Sequence, residues 1–364
     1  MKADLFSPVD LGAITLSNRV VMAPMTRDRA GPGDVPTSLM VDYYRQRASA
    51  GLIVTEGVQP SPAGKGYWRT PGIHDAAQVE GWRAVAEAVH AQGGRIVMQL
   101  MHCGRVVVPA NRGFEADVIA PSALACPAPV PGPDGVPVET ALPREITLAE
   151  IPALLAEYAQ AARNAITAGM DGVELHCASG YLINQFLNPA SNHRTDAYGG
   201  AVENRIRFPI DVLRAVAEAI GADRVGFRIS PGNPYNGMDP SDPAATFGPF
   251  VKAADDLGLA YLHVVDMGLP ELDTLALLRE NWTGNIITNN GLRAETAQAV
   301  LNAGRADAVS FGRAFIANPD LVDRMRNGWP LAKPDFARLY VGEDRGYTDY
   351  PVWEPATAAL AQGD

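Results

Sequence analysis

The sequence predicts an α/β fold: a single (β/α)8 TIM barrel with a long excursion after its third strand. Three observations carry this reading. Eight short apolar, β-branched runs recur along the chain, helical patterns fill the gaps between them, and 364 residues suffice to enclose one large core.

The runs are VVMAPM (20–25), GLIVTEG (51–57), RIVMQLM (95–101), GVELHCA (172–178), VGFRISP (225–231), LAYLHVVD (259–266), NIITNNG (285–291) and ADAVSFG (306–312). They are apolar almost throughout, as expected of parallel strands covered on both faces. After the second run, Val79, Trp82, Val85, Ala86 and Val89 share one helical face. Before the fourth, Thr147 and Glu150 have capping-box spacing and open a helix that ends near Gly169. The irregular part is the proline-rich stretch 103–147, read as a loop excursion over the barrel mouth within one domain spanning residues 1–364.

Composition excludes several classes. An apolar share of 47% against 20% charged residues rules out a disordered chain. Acidic residues outnumber basic ones, 41 to 30, and no Lys/Arg run exceeds two, so no nucleic-acid partner is expected. The uncharged stretch Val118–Pro133 carries five prolines, and the N-terminal MKADLF has no apolar signal core. No membrane association is expected, and the chain is read as cytoplasmic. Cys103, Cys126 and Cys177 lack C-x-x-C spacing and are odd in number, which speaks against a disulfide framework, a zinc site or an iron–sulfur cluster. The expectation is three reduced thiols and no metal.

In a barrel of this kind chemistry sits at the carboxyl ends of the strands. The polar residues there are Thr26, Gln99, His102, His176, Ser179, Arg228, Asn290 and Arg313. Asn290-Gly291 after the seventh run and Gly312-Arg313 after the eighth occupy the usual phosphate position, where glycine lets backbone N–H groups approach and arginine adds charge-assisted bonds. Arg313 pairing with an acidic neighbour, with the glycines as plain turns, is the competing reading. Gln99, which donates and accepts, and Arg228, which only donates, suit a ring with amide edges and developing negative charge, though singly each is as compatible with a structural bond.

Several longer motifs join these positions: LFSPVDLGAITLSNRVVMAPMTR from Leu5, QLMHCGR from Gln99, ELHCASGYLINQFLNPASNHRTDAYGG from Glu174 followed by ENRIRF, then VGFRISP, FGRAFIANPDL and GYTDYP. Together they resemble the Old Yellow Enzyme family of FMN-dependent ene-reductases, in the branch similar to NADH:flavin oxidoreductases and N-ethylmaleimide reductases. The resemblance runs from about Leu5 to Pro351.

That resemblance implies non-covalent FMN at the barrel mouth and NADPH or NADH as hydride donor. Pro24, Met25 and Gly57 would line the ring, Thr26 would bond the C4 carbonyl, Gln99 the pyrimidine edge and Arg228 the N1–C2 region. Asn290, Gly291, Gly312 and Arg313 would hold the phosphate. His176 and Ser179, three apart, would both bond the oxygen of an α,β-unsaturated carbonyl, and Tyr181 would protonate the α-carbon. Tyr67, Met101 and Tyr347 would line the substrate pocket. Two positions depart from the family pattern: Ser179 replaces the usual asparagine or histidine, and Met101 replaces a tryptophan, which implies a wider pocket.

The implied activity is reduction of activated C=C bonds in unsaturated carbonyl or nitro compounds by a ping-pong cycle, in a monomer or homodimer. Two alternatives are reductive denitration of nitrate esters at the same site and a flavin-binding protein that does not turn over.

Overall fold

The computed structural model describes residues 3–354. Eight parallel strands close into a barrel in the order in which they occur: β1 (Val20–Met22), β2 (Leu52–Val58), β3 (Ile96–Leu100), β4 (Gly172–His176), β5 (Val225–Ile229), β6 (Tyr261–Val265), β7 (Asn285–Asn289) and β8 (Ala308–Phe311). All eight apolar runs supply a barrel strand. Several strands stop short of their apolar run because side-chain chemistry ends the ladder. In the first, Pro24 has no N–H to donate, and pairing ends at Met22.

The helix predicted from Val79, Trp82, Val85, Ala86 and Val89 is α2 (Ala76–His90), following α1 (Ser38–Gln46). Trp82, Val85, Ala86 and Val89 are buried, while Val79 stands at the edge of the same face. Asp75 and Gln78 cap its start reciprocally. The helix expected from Thr147 begins later, as α3 (Ile151–Thr167). Glu150 does reach back to the Thr147 N–H at 2.8 Å and hydroxyl at 2.7 Å. Pro152, restricted to a first-turn position by its fixed φ and missing N–H, starts the helix proper.

The N-terminal hairpin Val9–Leu11 with Ile14–Leu16 was not read from the sequence. Its Leu11, Ile14 and Leu16 plug the barrel's lower end, packing against Val21, Leu52, Val54, Val97, Tyr261, Ile287 and Ala308. Gly226 makes room for Tyr261: a Cβ there would lie 2.2 Å from the ring. Above this apolar floor the inward-facing residues turn polar, with Gln99 in register with Glu174, Arg228 with His263 and Asn289 with Ser310.

Stretch 103–147 forms two small strand pairs, Ile119–Ala120 with Arg144–Glu145 and Val130–Pro131 with Pro137–Val138. Its Val106, Val107, Val108, Cys126 and Val130 pack with Met101 and Tyr181. All three cysteines are free and buried. Among the described residues, no group of three or more His, Cys, Asp or Glu side chains is placed to hold a metal ion, and no helix is long and apolar enough to cross a membrane.

Candidate functional site

At the carboxyl ends of the strands lies an open cleft of about 870 Å³. Its walls bring together Pro24, Met25, Thr26, Gly57, Gln99, Met101, His176, Ser179, Tyr181, Arg228, Asn290, Gly291, Gly312 and Arg313. These residues come from β1, β2, β3, β4, β5, β7 and β8 and the loops that follow them, so the barrel itself builds the site.

Local backbone explains several placements. In β2 the register with β3 shifts between Val54 and Gly57, a bulge that re-aims the end of the strand. A Cβ on Gly57 would lie 2.5 Å from the Met101 side chain, so the two residues occupy one space. After β4 the chain turns sharply through Ser179 (φ 56°) and Gly180 (φ 75°). The Ser179 N–H donates to Ser230 Oγ at 3.0 Å and its carbonyl accepts from Asn236 Nδ2 at 2.9 Å, which holds this left-handed turn. Tyr181 then stands at the N-cap position of the short helix α4 (Leu182–Leu187), its side chain making no cap hydrogen bond. After β7, Asn290 is also left-handed at φ 110°, and its Nδ2 donates to the Asp266 carbonyl at 2.8 Å. The adjoining Gly291 has nothing within 4 Å of where a Cβ would stand, leaving its backbone open to the cleft.

The polar layer beneath the cleft is hydrogen-bonded across four strands. Gln99 Nε2 donates to Glu174 Oε1 at 2.8 Å, and Glu174 Oε2 meets His263 Nδ1 at 2.8 Å. His263 Nε2 meets Ser310 Oγ at 2.7 Å. Burial pushes the Glu174 carboxyl up, but His263, Arg228 and Gln99 outweigh it and hold it below the usual carboxylate range. Burial, with Arg228 nearby, brings His263 down to about 4. The pair is therefore an ionised carboxylate with a neutral imidazole, Nδ1–H donating to Glu174 and Nε2 accepting from the Ser310 hydroxyl. Arg228 donates from Nη2 to Asn289 Oδ1 at 3.3 Å, while its buried Nη1 finds no partner among the described residues.

His176 lies beside Tyr181, ring centroids 4.9 Å apart, and its Nδ1 is also buried with no partner among the described residues. Burial and then the Arg228 cation bring its pKa down to about 3. The imidazole is thus neutral from about pH 3 upward, and an imidazolium would form only below that value. Turnover assigned to this residue is expected to show no step near pH 6.5, the ordinary histidine value. A kcat/KM profile between pH 5 and 8 checks this, and a step there that vanishes in His176→Asn would contradict it.

Two expected pocket residues are not in the cleft wall. Tyr347 is fully buried, stacked on Tyr43 of α1 at 4.1 Å and flanked by the Arg27 and Arg29 guanidiniums, so it is a core residue. Tyr67 stands behind Tyr181, its hydroxyl 3.0 Å from the Tyr181 hydroxyl. Conversely, Arg27, Tyr235, Asn289, Ser310, Phe336, Leu339 and Tyr340 line the cleft without having been singled out. The last three follow the final barrel strand, where no strand-end position marks them. Arg27 provided a faint signal as a charged residue next to Thr26. It donates to the Leu339 carbonyl at 3.0 Å and the Gly346 carbonyl at 2.7 Å, pinning that segment over the mouth.

Comparison with known proteins agrees with this architecture. The sequence pattern of the NADH:flavin oxidoreductase / NADH oxidase family matches residues 4–332. The chain belongs to that family. A probable flavin mononucleotide-dependent alkene reductase from Leishmania infantum is 43% identical over 95% of this chain and 97% of its own. Among solved structures, morphinone reductase superposes with a TM-score of 0.92 at 43% identity, covering 99% of both chains. An old yellow enzyme homologue from Zymomonas mobilis gives 0.93 at 42% identity, covering 96% of this chain and all of that one. The protein is accordingly an FMN- and NAD(P)H-dependent oxidoreductase of the Old Yellow Enzyme type.

Proposed function

We propose that this flavoenzyme reduces the C=C bond of α,β-unsaturated carbonyl or nitro compounds, with nicotinamide and alkene occupying one cleft in turn. The supporting observation is the convergence at one mouth of Arg228, with a buried unpaired Nη1, and the His176–Ser179–Tyr181 turn. We further propose that it acts as one FMN-binding domain, in the cytoplasm, as a monomer or homodimer.

The residues present fit FMN. A buried guanidinium nitrogen without a partner calls for an acceptor, which the N1–C2 edge of a flavin provides. The open backbone at Gly291 beside Arg313 fits a phosphate. Gln99 would bond the pyrimidine edge, Thr26 the C4 carbonyl, and Pro24, Met25 and Gly57 would line the ring, while Asn290 and Gly312 complete the phosphate loops. The chemistry supplied by bound FMN is hydride transfer, from nicotinamide to the flavin and from there to the alkene β-carbon.

The protein's own part is polarisation and proton delivery. A neutral His176 donates an N–H to the substrate oxygen, and Ser179 offers its hydroxyl as the second donor, so negative charge developing on that oxygen is stabilised. Tyr181 supplies the proton to the α-carbon. Burial holds its phenol well above 10, so it is protonated at working pH, and Tyr67 can pass it a replacement proton. Met101 beside Gly57 leaves a pocket shaped by a flexible thioether.

The test is direct. Under anaerobic conditions NADPH or NADH should bleach the yellow protein, and cyclohexenone should restore the colour. A bleached protein that no activated alkene reoxidises would defeat the proposal.

Ser179 offers a sharper expectation. Its left-handed backbone is one that asparagine tolerates well, so Ser179→Asn lengthens the donor arm without backbone cost. A phenol, whose oxygen mimics the polarised substrate oxygen, should then bind tighter by roughly 1 kcal/mol, the worth of one added hydrogen bond. Equal or weaker binding by absorbance titration would mean that Ser179 is already a competent donor.

A further inference from the structure

Beneath the proposed flavin site lies a buried charge that the reaction itself does not use. Glu174 is fully buried, and its two oxygens are committed in opposite directions, to Gln99 Nε2 at 2.8 Å and to His263 Nδ1 at 2.8 Å. A carboxylate only accepts hydrogen bonds. It therefore compels Gln99 to turn its amide nitrogen inward, which leaves the Gln99 oxygen to face the cleft as an acceptor. Ser310, by donating to His263 Nε2, fixes the tautomer that lets Nδ1 donate to Glu174.

Glu174 is also the buried negative charge that acts on Arg228, whose paired neighbour Asn289 is neutral. In a low-dielectric barrel interior, a carboxylate there partly cancels the field that Arg228 projects into the cleft.

We propose that Glu174, braced by His263 and Ser310, is a positioning residue that sets the amide orientation of Gln99 and offsets the charge of Arg228, and so tunes the affinity and reduction potential of the bound flavin. The inference rests on the FMN reading above. Its two components separate, because the charge of Glu174 acts on the potential and its reach acts on Gln99.

The test uses the full-length holoprotein. The wild type is first titrated with FMN and then with a redox dye under anaerobic conditions; a wild type that holds no FMN overturns the site reading, before Glu174 is in question. Glu174→Gln removes the charge and leaves Arg228 uncompensated, which favours the reduced, more negative flavin. Its midpoint potential should move positive by the equivalent of about tenfold in the reduced-to-oxidised ratio, about 30 mV for a two-electron couple. Glu174→Asp keeps the charge but withdraws it from Gln99. Its potential should stay near the wild-type value while the FMN dissociation constant rises about tenfold, about 1.4 kcal/mol.

A purely structural role would lower the melting temperature of both variants and leave the potential in place. An unshifted potential in flavin-loaded Glu174→Gln overturns the proposal, as does Glu174→Asp binding FMN as tightly as wild type. If Glu174→Gln does not fold, the dissociation constant of Glu174→Asp decides.

Discussion

Arg228→Ala protein is expected to purify colourless. Arg228 is 8% exposed, and among the described residues its Nη2 alone has a hydrogen-bond partner, Asn289. A buried guanidinium is held in place at a desolvation cost, and its free Nη1 points to an acceptor that arrives with the cofactor. Deleting the side chain removes a charge-assisted contact worth roughly 1.5–3 kcal/mol, which is about ten- to 150-fold in affinity. It also leaves Glu174 with one compensating charge fewer, so the melting temperature should fall as well. The measurement is the flavin-to-protein absorbance ratio after desalting. Arg313→Ala should act in the same direction but less strongly, because Arg313 is exposed and its charge is screened by solvent. Full FMN occupancy in both variants would remove the cofactor assignment from these residues.

Tyr181→Phe should divide the catalytic cycle. Reduction of the flavin by nicotinamide requires no proton from this side chain and should be nearly unchanged. Reoxidation by an alkene requires one at the α-carbon and should slow by about 10²–10⁴-fold, the usual contribution of a positioned general acid. The phenylalanine ring keeps the packing against His176 and the Val106–Val108 segment, so the pocket retains its shape. Rapid-mixing kinetics of the two half-reactions measure the split. Equal slowing of both would make Tyr181 a wall of the pocket and not its acid. Tyr67→Phe makes an informative companion, since it removes a hydroxyl that meets that of Tyr181.

The barrel was legible in the sequence because a parallel strand buried on both faces leaves a local trace, an apolar run of six to eight residues bounded by turn residues. The site residues were legible for a related reason. In this fold the residues at and just beyond the carboxyl end of a strand are delivered to the mouth, so Thr26, Gln99, His176, Arg228 and Arg313 could be placed from position along the chain. The signals that failed were those needing partners far away in sequence. Tyr347 looks like any aromatic residue near the C-terminus, and only packing against Tyr43 and the guanidiniums of Arg27 and Arg29 makes it core. The N-terminal hairpin was missed because three-residue strands are too short to show a period.

Sequence by itself thus determined the strand order, the family and many of the groups that line the barrel mouth, since each of these depends on a short stretch of chain. What those groups are ready to do was decided by tertiary structure. Glu174 meets Gln99 across 75 positions and His263 across 89, and His263 meets Ser310 across 47. Burial of that network fixes which atom of Gln99 faces the cleft and which charge offsets Arg228. The low dielectric of the closed barrel also brings the His176 imidazole down to about 3 and pushes the Tyr181 phenol up. Protonation and hydrogen-bond direction are properties of an enclosed space, and that space exists only once eight distant segments have closed around it.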